Sequence, residues 1–157
     1  MPAPLEVHSL CLLGIMLAVY VSFKLKYRLL AEHLPYLLLF GISGIPDMLA
    51  TVEFAYLRPE LEANILARMF LGIPYLMPIG VFLWVLVWLS IAEFLGRKSS
   101  ILPKIVLGGL FIGHLLGVST WIKYMDLSML LLMFAVSAFV LGIMLVMVNA
   151  YGKVKQQ

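Results

Sequence analysis

Five long apolar runs, separated by short polar breaks, make up almost the whole chain. About 20 apolar residues are needed to cross a hydrocarbon layer about 30 Å thick, and runs of that kind fall near 5–23, 34–57, 71–95, 101–122 and 128–149. The first run is expected to be a retained helix rather than a cleaved leader. No basic stretch precedes it and no small-residue cleavage pattern follows it; KLKYR comes next. Between the second and third runs, Leu61, Ile65 and Met69 recur every four residues, while Glu60, Asn64 and Arg68 form a second stripe. Pro59 suits a first helical position, Glu60 and Glu62 favour the positive end of a helix dipole, and Arg68 lies toward the other end. The pattern predicts a short interfacial amphipathic helix near 59–70.

The expected fold is all-α: a polytopic helical bundle of about five transmembrane helices, forming a single domain over residues 1–157. Connections this short make successive helices antiparallel neighbours. Small residues recur every four positions at Gly14, Ala18 and Ser22, at Gly109, Gly113 and Gly117, and at Ala138 and Gly142. Such stripes let helix backbones approach closely in lipid, and they predict packing rather than chemistry.

Composition agrees with the pattern. Hydrophobic residues make up 64% and charged residues 12%, with a mean hydropathy of +1.08, against roughly half and a quarter in soluble domains. The expected setting is the cell membrane, with multiple passes and the lipid bilayer as first partner. Charge then supplies orientation, because Lys and Arg are retained on the cytoplasmic side. Lys24, Lys26, Arg28, Arg97, Lys98, Lys104, Lys153 and Lys155 fall in the breaks on one side; Arg58, Arg68 and Lys123 fall on the other. Eight against three predicts an N-terminus outside and a C-terminus in the cytoplasm. The net charge of +3 is accounted for by this asymmetry. No basic cluster points to nucleic acid. A lone cysteine, Cys11, excludes an internal disulfide framework and any Cys-rich metal or iron–sulfur site.

Against this background the stretch GISGIPDMLATVEF, residues 41–54, is anomalous, since it places two acids in an apolar run. Counted from Leu34, Asp47 lies about 20 Å into the second span at 1.5 Å per residue. A carboxyl group at that depth must be protonated, paired, hydrogen-bonded or hydrated through a cavity. Pro46 has no N–H and so frees the carbonyl of Ile42. Ser43, Asp47 and Thr51 stand four residues apart on one helical face and form a candidate polar seam. Glu53 lies about 240° around the helix from Asp47 and nearer the outer surface. The fourth span runs in the same direction as the second and carries His114 at about the same depth, which makes Asp47 and His114 candidates for contact.

Asp47 and Thr51 in D-M-L-A-T, then Glu62 and Asn64 in E-A-N, then a hydrophobic hairpin ending near His114, resemble a family of small, uncharacterised prokaryotic membrane domains. In that family an intramembrane Asp-x-x-x-Thr is followed by Glu-x-Asn-Pro; here Ile65 takes the place of the proline. The resemblance covers residues 40–120 and implies a shared hairpin arrangement of four helices, with no established activity.

Two classes of function stay open. One is a non-catalytic membrane protein, a subunit of a larger complex or a small carrier, with a buried polar seam at Ser43, Asp47, Thr51, Glu62, Asn64 and His114. Its partners would be other membrane subunits or further copies of the chain. The other is an intramembrane enzyme acting on a lipid or membrane-embedded substrate, with Asp47 and His114 as acid and base or with Asp47, Glu62, His114 and His8 as metal ligands. Neither HExxH nor GxSxG is present. His8 and His33 fall toward opposite ends of their spans, which disfavours a haem held between facing histidines. The pattern names no cofactor.

Overall fold

The computed structural model describes residues 5–25, 32–56, 58–71, 73 and 75–154 and is helical throughout, with no strand among them. Helices α1 (Leu5–Lys24), α2 (Leu34–Ala55), α3 (Ile65–Arg68), α4 (Leu76–Gly96), α5 (Leu102–Trp121) and α6 (Leu127–Val154) follow in order, with 3-10 turns at Pro59–Leu61 and Ile122–Tyr124. Among the described residues, α1, α2, α4, α5 and α6 are long and apolar enough to cross a membrane. Lys26, Arg28 and Lys155, counted above for charge, lie outside the described residues, as do Leu57, Gly72 and Pro74.

Three expectations are corrected. The segment 59–70 is not one amphipathic helix: Glu62 is extended (ψ 123°) and separates the 3-10 turn from the single turn of α3. The cause is Asn64, whose side-chain oxygen accepts from the backbone N–H groups of Leu66 and Ala67 and starts a new helix at Ile65. The third span starts at Leu76, not near 71, and its N-cap Tyr75 is the one non-glycine residue with positive φ (65°) among those described. Finally, the extensive pairings are not between successive helices. α2 packs along α5 and α6, α1 packs along α4, and α4 touches α5, while α1 and α2 meet only lightly.

The small-residue stripes divide accordingly. Gly14, Ala18 and Ser22 are buried, and a Cβ at Gly14 would come within 2.9 Å of the Pro78 carbonyl oxygen, so α1 and α4 touch backbone to backbone. Gly41 instead receives the Leu141 side chain of α6, with its Cδ2 atom 2.5 Å from where a Cβ would stand. Gly109, Gly113 and Gly142 differ from the expectation, because a Cβ at any of them would meet no atom within 4 Å. Of the stripe on α5, only Gly117 makes a close approach to another helix. At the turn into α6, Asp126 accepts from the Ser128 hydroxyl (2.6 Å) and the Met129 N–H (2.8 Å), forming the N-cap. These bonds hold its carboxyl group below the usual carboxylate range.

Candidate functional site

Helices α2 and α5 interlock through two acid-base and glycine pairs. His114 Nδ1 lies 2.7 Å from Asp47 Oδ2. A Cβ at Gly44 would meet the imidazole 3.5 Å away at Cδ2, and one at Gly117 would stand 2.6 Å from the Asp47 Cγ atom. Each polar side chain therefore covers a glycine of the opposite helix, one turn from the polar residue of that helix. Phe40 closes over the imidazole, with ring centroids 5.6 Å apart and planes tilted by 42°.

The proton on the imidazole follows from the hydrogen-bond network. Nε2 is buried and has no hydrogen-bond partner. A hydrogen there would be a buried donor with nothing to accept it, at a cost of about 1–3 kcal/mol. The form that leaves no such donor carries its hydrogen on Nδ1 and donates it to Asp47 Oδ2. Asp47 has no second side-chain partner among the described residues.

A second polar group lies about 6 Å further along α2, one helical turn on. The Thr51 hydroxyl donates to Glu62 Oε2 (3.1 Å), and the Asn64 N–H donates to Glu62 Oε1 (2.7 Å). Arg68 donates from Nε to the Glu62 carbonyl (3.0 Å), and its Nη2 also reaches that oxygen. Arg68 thus clamps the backbone of the extended residue while the carboxylate, with Glu62 only 8% exposed, points back onto α2. The connection is a cap on the bundle rather than a helix lying beside it.

These groups border a cavity of about 530 Å³ that draws on all five long helices and the 62–70 connection. Asp47, Thr51, Glu62, Asn64 and His114 line it, together with apolar side chains and the indoles of Trp84 and Trp121. Gly109 and Gly113 also border it, so the open space beside them is part of this cavity. No Lys or Arg is among its lining residues.

The remaining candidates fall elsewhere. Ser43 is fully buried and its hydroxyl donates to the Leu39 and Phe40 carbonyls of its own helix, so it does not line the cavity. Glu53 pairs with His8, Oε2 to Nε2 at 3.4 Å, which links α2 to the start of α1. Of the metal candidates, Asp47 and His114 come together and Glu62 bonds with Thr51 and Asn64. No group of three His, Cys, Asp or Glu side chains able to hold a metal occurs among the described residues.

Sequence reasoning did not single out Gly44, Phe40, Trp84 or Trp121, and it took Gly117 only as part of a helix-packing stripe. A signal was present for the glycines: Gly44 precedes Asp47 by three residues and Gly117 follows His114 by three, the mirrored spacing that two parallel interlocking helices require. The aromatic residues gave no signal, because indoles in an apolar span are as readily packed against lipid. The chain matches no protein-family model, no curated protein and no solved structure.

Proposed function

We propose that the chain is a small multi-pass membrane protein that binds a small, mostly apolar molecule inside its helical bundle, as a carrier or a binding subunit rather than a catalyst. The observation that carries this reading is the cavity. Its volume of about 530 Å³ falls within the roughly 300–1,000 Å³ of small-molecule sites, and its lining has their character, apolar walls with a few convergent polar groups. Gly109 and Gly113 border the cavity on an exposed face of α5, so it opens to the surface of the bundle there. An acid–base role for the Asp47 and His114 pair has weaker support, because the imidazole atom free to exchange a proton, Nε2, is sealed rather than open to a reactant.

The charge asymmetry supports an orientation with the N-terminus and the 58–73 connection outside and the 97–104 turn in the cytoplasm. The D-x-x-x-T and E-x-N motifs take on a shared role in this reading. Thr51 and Glu62 are hydrogen-bonded, and Asn64 caps the turn that returns to α4. We propose the same folded-back connection for the small prokaryotic membrane domains that these motifs resemble.

Native mass spectrometry of the protein purified from its own membrane tests the binding role. The parent is expected to carry one small molecule, and Gly113→Leu to lose it, because position 113 borders the cavity and a Cβ there meets no atom within 4 Å. A parent with no bound molecule, or a variant that retains it at equal occupancy, overturns the reading.

A further inference from the structure

We infer that the occupant of this cavity is a lipophilic organic cation, an inference that rests on the binding role proposed above. Three features of the site converge on it. Two acidic side chains, Asp47 and Glu62, line the cavity, and neither Lys nor Arg lines the same space. Arg68 donates from Nε and Nη2 to the backbone carbonyl of Glu62 and does not line the cavity. His114 turns its Nδ1 to Asp47, and its Nε2 is buried without a partner, so the imidazole offers no further donor to the cavity. Asp47 therefore brings an acidic group to the cavity wall at the middle of a span, with His114 as its one side-chain partner among the described residues.

A ligand that brings positive charge suits a lining with two acids and no Lys or Arg, and an anionic one does not. The walls favour the same class. Trp84 and Trp121 line the cavity with Phe40 and Phe70, and aromatic faces attract a desolvated organic cation through the ring quadrupole. A small hydrated metal ion finds no third ligand of the usual kind among the described residues. An organic cation needs none, since its charge is diffuse and its surface is satisfied by apolar contact.

Tetraphenylphosphonium and tetraphenylborate have one shape and opposite charge, and they separate charge recognition from filling of space. Equilibrium dialysis of the full chain in neutral detergent is the measurement, with folding of each variant checked by circular dichroism. The phosphonium is expected to bind one per chain, with the borate bound about tenfold or more weakly. Asp47→Asn is expected to weaken the phosphonium about tenfold or more, and Gly113→Leu to exclude both probes. Equal binding of the two probes, or phosphonium binding unchanged in a folded Asp47→Asn protein, overturns the cation inference and leaves the binding role standing. If neither probe binds while the purified parent still carries a native small molecule, the cation inference fails alone. If neither probe binds and the parent carries nothing, both readings fail.

Discussion

Gly117 makes room for Asp47. A side chain at 117 would place its Cβ atom 2.6 Å from the Asp47 Cγ atom, so the carboxylate occupies the space that any other residue would claim. Gly117→Ala is therefore expected to destabilise the protein by about 1–3 kcal/mol, as overpacking does, while Gly113→Ala is expected to be close to neutral. The clash is with one side chain, so Asp47→Ala should suppress most of the cost in the double variant, a strong non-additivity. Thermal unfolding of the four proteins in detergent measures this. Equal costs at 113 and 117 would mean that α5 does not approach α2 at Gly117.

Thr51 joins the connection to the bundle. Its hydroxyl is the only link between α2 and the Glu62 carboxylate among the described residues. Hydrogen bonds to charged groups are worth about 1.5–3 kcal/mol, so Thr51→Val should lower stability by about that amount and Thr51→Ser should not. Limited proteolysis near Arg58 and Arg68 should quicken in Thr51→Val. Unchanged proteolysis would show that the cap is held by Arg68 and Asn64 without Thr51.

Much of this architecture was legible in the sequence, and the legible parts have a common basis. Span positions follow from length and hydropathy, which are local quantities, and α1, α2 and α5 begin and end close to the expected places. The contact between Asp47 and His114 followed from equal depth on helices of the same direction. Helix pairing was not legible, because α1 packs along α4 through backbone contact at Gly14 and loop length says nothing of that. The inward turn of Glu62 was hidden for a related reason. A fourfold repeat at Leu61, Ile65 and Met69 imitates an amphipathic helix, and the side-chain bonds of Asn64 and Glu62 outweigh it. Ser43 shares the heptad face of Asp47, yet its hydroxyl bonds to its own helix, a local choice that periodicity does not register.

Orientation is open to a direct check. On a Cys11→Ser background, a cysteine at Lys98 should react with an impermeant thiol reagent only after the membrane is opened, and one at Glu60 should react in intact cells. Both positions are exposed. Labelling of both from the same side would contradict the proposed arrangement of N-terminus outside.

The central claim is that Asp47 is kept in the cavity for a ligand and not for packing, and Asp47→Asn tests it most directly. The amide keeps the shape and still accepts from His114 Nδ1, while the acid is removed. Native mass spectrometry and thermal unfolding of the same purified sample, beside the parent, give both answers at once. The account predicts a folded Asp47→Asn protein, close to the parent in stability because the bond to His114 is kept, without the small molecule that the parent carries. A variant that retains the molecule at the parent's occupancy and unfolds at a lower temperature would contradict it, and would make Asp47 a structural tie between α2 and α5.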